Sequence, residues 1–123
     1  MPLHESAEMY IETIYSLSLE SKFVRSIDVA QSLGYSKPSV SRAVSRLKQD
    51  GYLLMDKDGF LTLTDEGNAV ARKIFERHTV LSGLLVSLGV DEKIAAQDAC
   101  RIEHVISDES FAAVKRYLEQ GRT

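Results

Sequence analysis

The sequence predicts a mainly α-helical protein: an N-terminal winged helix-turn-helix, residues 1–73, followed by a second helical domain, residues 74–123. Three features carry that expectation. Apolar residues recur at helical spacing over most of the 123 positions. Two short helical stretches meet at the glycine-containing turn "LGYS". Two β-prone runs separated by "DKDG" come directly after, the pattern of a hairpin wing.

In "SAEMYIETIYSLSLE", Tyr10, Ile14 and Leu17 share one helical face, and Ser6 is placed to cap the first turn. The next helix carries Ile27, Val29, Ala30 and Leu33 and closes at Gly34, which takes a left-handed backbone without a Cβ clash. Ser36 caps the helix after it, and Pro38 occupies the first turn, where its missing N–H costs nothing. Val40, Val44 and Leu47 follow at i, i+4 and i+7, and Gly51 stops the helix. Beyond the hairpin, Thr64 opens "DEGNAVARKIFERHTVLSGLLVSLG", a connecting helix that continues into, or kinks before, a buried segment ending at Gly89. "VDEKIAAQDACRIEHVI" forms a further helix. "SDESFAAVKRYLEQ" forms the last, with Ser107 or Asp108 as cap and Phe111, Val114 and Leu118 facing inward.

The composition is that of a globular protein, and no apolar run approaches the roughly 20 residues that span a bilayer. The opening "MPLHESAEMY" has neither a basic nor an apolar signal region, so a cytoplasmic location with no membrane partner is expected. The single cysteine cannot form an internal disulfide; it is available as a thiolate ligand or as a small buried apolar group. The net charge of −3 conceals a local excess, because residues 21–50 hold six basic side chains against two acids, a balance of +4. Residues 1–20 and 91–110 are acidic. Such a distribution predicts an anion-binding middle with cation-binding flanks.

The second helix of the turn unit is the expected reader of a DNA major groove. Residues 35–49 contain no acid, and the polar face holds Ser36, Lys37, Ser39, Arg42, Ser45 and Arg46. Ser36, Pro38, Ser39 and Arg42 lie on the first turns, which reach base edges in this geometry. Arg25, Lys37, Arg46 and Lys57 are expected on the phosphates. A solvated basic face on a protein-binding module is the alternative, but turn, proline, hairpin and charge agree on DNA.

Cys100, Glu103 and His104 put a thiol, a carboxylate and an imidazole within five positions. At 100° per residue they share an arc of about 100°, with Ala99, Ile102, Val105 and Ile106 opposite, so donors and core are not expected to compete. Met9 and Glu12, at i and i+3 on the first helix, and His78 on the long one are further candidate donors. Taken singly, Met9 reads as core filling, Cys100 as a small buried apolar group, and His78 as capped or solvated. Three donor types on one face instead favour a divalent metal.

In this order and at this spacing, "EMYIETIY", "SLGYSKPSVSRAVSRLKQDGYL", "LTLTDEGNAVARKIFERH" and "CRIEHVISDE" resemble the diphtheria toxin repressor and manganese transport regulator family over nearly all of the chain. The resemblance implies a dimeric metal-activated repressor, with a winged helix preceding a helical metal-binding and dimerisation domain. It implies Met9, Cys100, Glu103 and His104 as the iron-type primary ligands, with His78 and Glu12 at further ligand positions. The longer iron-type members carry a C-terminal SH3-like domain, which a chain ending near Thr123 is expected to lack. Their ancillary site adds a carboxylate four residues after the position of His78 and a second imidazole, where this sequence has Ser82 and Ala96. Glu12 matches the short manganese-type members, whose acidic residues at positions 9 and 100 are here Met9 and Cys100. Thioether and thiolate donors favour Fe(II), with Mn(II) next and Co(II), Ni(II) or Zn(II) as substitutes in vitro.

A metal shared between Met9 and Glu12 on the first helix and Cys100, Glu103 and His104 in the second domain would join the two lobes and favour the DNA-competent arrangement. Activation would weaken as pH falls, because the ligands must be deprotonated. The expected partners are a palindromic double-stranded operator and a second copy of the chain, met through "VLSGLLVSLGV" and "FAAVKRYL". A metal-independent winged-helix regulator, with Cys100 and His104 merely packed, is the alternative. With no Ser-His-Asp set, HExxH motif or glycine-rich phosphate loop, neither an enzyme nor a small organic substrate is expected. Arg42→Ala is expected to weaken operator binding more than binding to random duplex; equal loss on both in a gel shift refutes a base-reading role for Arg42.

Overall fold

The computed structural model describes residues 5–121. The chain divides into two units, one up to Arg72 and one from Lys73 onward. In the first, α1 (Glu5–Glu20), α2 (Ser26–Leu33) and α3 (Lys37–Gln49) precede a hairpin of β1 (Leu53–Met55) and β2 (Leu61–Leu63). α4 (Asp65–Ser87) begins in this unit and supplies the opening helix of the second. There α5 (Glu92–Ile102) and α6 (Asp108–Gln120) complete the order. No helix among the described residues is long and apolar enough to cross a membrane.

α1 is already helical at Glu5, so Ser6 lies inside its first turn instead of capping it; the residues before Glu5 lie outside the described ones. Its buried stripe includes Ile11 with Tyr10 and Ile14, while Leu17 is only partly buried against the same cluster. Ile11, Ile14, Val29, Val40, Val44 and Leu53 are fully enclosed in this core. Each such side chain stabilises by roughly 1.5–3 kcal/mol. α2 ends at Gly34, with φ 71° and its N–H donating to the Ala30 carbonyl. α3 has the expected Ser36 cap, whose hydroxyl accepts from the Ser39 N–H at 3.3 Å, and Pro38 stands in its first turn. Burial of Val40, Val44 and Leu47 turns Lys37, Arg42, Ser45 and Arg46 outward.

The hairpin pairs Leu53 with Leu63, Leu54 with Thr62 and Met55 with Leu61. Strand alternation follows from that register: Leu53, Leu61 and Leu63 are buried, whereas Leu54 and Thr62 are exposed. The Leu61 N–H donates to the Val24 carbonyl at 2.7 Å, which ties the segment before α2 to the hairpin edge. In the "DKDG" turn, Asp56 Oδ1 accepts from the N–H groups of Asp58 and Phe60, each at 2.9 Å. This local wrapping by an aspartate is what its short side chain favours.

Thr64 opens α4 as expected, its hydroxyl accepting from the Gly67 N–H at 3.1 Å and donating to the Gly51 carbonyl at 2.7 Å. The Thr64 N–H also donates to the Tyr52 carbonyl at 3.1 Å. These bonds draw the first turn of α4 onto the chain leaving α3, and Gly67 sits at the contact. A Cβ on Gly67 would lie 2.1 Å from the Tyr52 carbonyl oxygen.

In the second unit Ile74, Leu81, Ala95, Ala99 and Phe111 are buried. α5 stops at Ile102, four residues before the end that its periodicity predicts. α6 is capped by Ser107, whose hydroxyl accepts from the Ser110 N–H at 3.0 Å. Phe111 is buried as expected, whereas Val114 and Leu118 are half-buried. Because a backbone oxygen cannot move aside as a side chain can, Gly67→Ala is expected to cost about 1–3 kcal/mol. An unchanged melting temperature in calorimetry would contradict this close approach.

Candidate metal centre and nucleic-acid interface

Along the outward face of α3, the Ser36 hydroxyl donates to Ser39 Oγ at 2.9 Å and Arg42 Nη2 donates to the same oxygen at 3.5 Å. These three predicted base-reading residues therefore form one chain along the first turns. Pro38, Arg42, Ser45, Arg46 and Gln49 border a shallow open groove on that face. Arg46 pairs with Asp50 one turn later at 3.0 Å, an exposed i, i+4 pair worth about 0.3–0.5 kcal/mol. Lys37 and Lys57 are exposed, Lys57 in the hairpin turn. Arg25 lays its guanidinium over the ring of Phe60, 4.4 Å from the centroid, and Phe60 in turn packs against Phe23 at 5.2 Å.

In the second unit the predicted donors gather where α5 ends. Glu103 is the C-cap residue and is completely buried. Its Oε2 lies 2.8 Å from His78 Nδ1, and its Oε1 lies 3.4 Å from His104 Nε2. The His104 side chain is nearly buried and that of His78 about one-third exposed. Cys100 is half-buried in the last turn of α5. With the proton of His78 on Nδ1, that nitrogen donates to the carboxylate and Nε2 keeps its lone pair for another partner.

This arrangement corrects the expectation that donors and core occupy opposite arcs. Glu103 is itself core, and Val105, placed on the apolar arc, is 62% exposed. The physical reason is the end of the helix: 100° steps carry no information beyond Ile102. Arg77 helps to set that end. From within the unit it donates through Nη1 to the carbonyls of Glu103 at 3.2 Å and Ile106 at 2.8 Å. It also pairs with Asp108 and lies over the ring of Phe111.

Sequence reasoning missed Arg77, although a signal existed. It stands three residues after Ile74 and four before Leu81, so an arginine occupies the buried stripe of α4. Asp108 receives Lys73 as well, at 2.9 Å. The hydrogen bond from Lys73, then its charge, holds the Asp108 carboxyl below its ordinary value of 3.8. A depressed carboxyl contributes stability above its unfolded-state value and loses it as pH falls through the lower folded-state one.

Met9 and Glu12 lie on α1, in the first unit. Met9 is half-buried, and its sulfur accepts a hydrogen bond from the Tyr35 hydroxyl at 3.5 Å. One oxygen of Glu12, Oε2, is closed off from solvent and has no hydrogen-bond partner among the described residues. Enclosing a carboxylate oxygen without a partner is costly, and a cation is the usual remedy. The orphaned oxygen of Glu12 in the first unit, and in the second the Glu103 carboxylate beside two imidazoles, are each chemistry that suits a divalent metal.

Both halves of the chain match one family: residues 2–61 match the N-terminal DNA-binding domain of the iron-dependent repressors, and residues 64–123 match their metal-binding and dimerisation domain. The chain belongs to the iron-dependent repressor family. It is 34% identical over 119 residues to the transcriptional regulator MntR of Salmonella typhimurium, covering 97% of this chain and 76% of that protein. It is 37% identical over 122 residues to the iron-dependent repressor IdeR of Mycobacterium tuberculosis, covering 98% of this chain and 53% of that one. The fold is similar to that of a manganese-dependent transcriptional repressor in complex with manganese, at 28% identity and a TM-score of 0.83 over 92% of this chain and 52% of that one. As a family member the chain is a metal-dependent transcriptional repressor, with a DNA-binding unit and a metal-binding, dimerising unit.

Removing the Arg77 guanidinium strands two carbonyls in the donor turn. Arg77→Met is expected to lower stability by roughly 2–4 kcal/mol in urea unfolding followed by circular dichroism. A loss below about 1 kcal/mol would show that water replaces these bonds without cost.

Proposed function

We propose that this chain is a cytoplasmic, homodimeric repressor of iron or manganese homeostasis that grips a palindromic operator when loaded with a divalent metal. The observation that carries the reading is the enclosed Glu103 carboxylate, set between the imidazoles of His78 and His104 one turn from the thiol of Cys100. Met9, Glu12, His78, Cys100, Glu103 and His104 are the proposed ligands. Fe(II) is the favoured ion and Mn(II) the next, because Met9 and Cys100 offer sulfur where a manganese site prefers oxygen. Co(II), Ni(II) and Zn(II) are the proposed substitutes in vitro. When bound, the ion supplies the positive charge that compensates the carboxylates of Glu12 and Glu103.

The chain's own residues account for the response. Glu103 holds His78 in place through Oε2, and Arg77 fixes the turn that carries Glu103 and His104. Ligands drawn from α1 as well as from α4 and the end of α5 make metal affinity sensitive to the arrangement of the chain. DNA affinity then rises by no more than that differential, typically ~1–3 kcal/mol. Ser36, Pro38, Ser39 and Arg42 are the proposed base readers, and Arg25, Lys37, Arg46 and Lys57 the proposed phosphate contacts.

Exposed Val86, Leu88 and Tyr117 support self-association through the predicted runs. A groove of about 450 Å³ bordered by Val80, Gly83, Tyr117 and Leu118 offers the same surface. Two-fold pairing presents two copies of α3, which is why a palindrome is the proposed target. The role is binding, with no catalytic step. Gel shifts of the whole chain with Fe(II), Mn(II) or Co(II), and with chelator, test the reading. Metal-dependent retardation is the expected result, and binding indifferent to chelation would favour a metal-independent regulator.

A further inference from the structure

Tyr35 occupies the single position between Gly34, which closes α2, and Ser36, which caps α3. Its N–H donates to the Ala30 carbonyl at 3.1 Å, so the residue is fixed by its backbone to the end of α2. Its ring meets Tyr10 edge-on, with centroids 6.0 Å apart, and its hydroxyl reaches Met9 Sδ. Two consecutive residues of α1 therefore hold one tyrosine of the reading turn.

We infer that Tyr35 is a positioning residue, holding the Met9 thioether in its ligand-ready conformation and linking it to the first turn of the DNA-reading helix. The inference rests on the proposed role of Met9 as a metal ligand. Methionine is unbranched, with three rotatable bonds, so an unrestrained thioether samples many orientations. An O–H···S bond selects among them. The sulfur has two lone pairs, so donation from Tyr35 leaves the other for an ion. Because the same tyrosine adjoins the α3 cap, a change at Met9 is felt where Ser36, Ser39 and Arg42 begin. Linkage makes the coupling reciprocal: DNA held by α3 strengthens metal binding by the same factor.

Tyr35→Phe keeps the ring and its contact with Tyr10 and removes only the donor. The first measurement needs no metal. In protein labelled at its methionine methyl groups, three in all, Tyr35→Phe is expected to shift the Met9 methyl resonance while the melting temperature stays unchanged. The second uses a duplex selected from a randomised pool with Co(II). Tyr35→Phe is expected to reduce Co(II)-dependent affinity about threefold to tenfold, the range of one net hydrogen bond, with metal-free binding unaltered. In a Met9→Leu background the same change is expected to have no further effect. An unmoved Met9 resonance, or equal loss of DNA binding with and without Met9, overturns the inference. A wild-type chain whose DNA binding ignores Co(II), Fe(II) and Mn(II) overturns the metal-activation reading instead, and the methyl measurement, made without metal, tells the two failures apart.

Discussion

The second unit is organised around one carboxylate that water cannot reach. Glu103 has no exposed surface, and an ionised group in that position costs several kcal/mol unless its neighbours replace the lost hydration. The neighbours come from two directions in the chain. His78 reaches it from α4, and His104 is the next residue along the turn. Arg77 leaves the carboxylate to these imidazoles and takes the backbone instead, through the carbonyls of Glu103 and Ile106. Its second amino group faces Asp108 at the start of α6. One buried cation thus joins the long helix, the turn after α5 and the last helix.

The first unit solves a simpler problem. Val40, Val44 and Leu47 sink one side of α3 into the core, and its lysines and arginines are turned to solvent as a consequence. The serines of its first turn satisfy each other and the backbone, and Arg42 leans on Ser39, so the outward edge of these turns is ordered by short local bonds. α1 serves both purposes. Tyr10, Ile11 and Ile14 anchor it in the core, while Met9 and Glu12 offer a sulfur and an under-bonded oxygen.

Features set by near neighbours in sequence were legible, and those set by distant partners were not. The cap, proline and stripe of α3 lie within a dozen residues, and the turn at Gly34 needs only a left-handed backbone. The grouping of a thiol, a carboxylate and an imidazole at the end of α5 was equally plain, because Cys100, Glu103 and His104 fall within five positions. Which of them would be core was hidden. Burial of Glu103 depends on His78 and Arg77, some 25 residues earlier, and the end of α5 depends on the same arginine. Periodicity continued the helix on paper because it has no term for a guanidinium arriving from elsewhere. The meeting of Tyr35 with Met9, 26 positions apart, left no trace in the spacing of either residue.

The stack beside the hairpin turn gives the first unit a preformed tool. A long cationic side chain in solvent has most of its rotamer freedom still to lose when it closes on an anion, and that loss subtracts from affinity. Arg25 has given up much of it already, because Phe60 supports the flat face of its guanidinium and Phe23 supports Phe60. The N–H groups around the guanidinium rim point along the plane of the fork, where a phosphate oxygen would approach. This part of the wing therefore presents a stiff cation, and less ordering remains to be done when an anion approaches it.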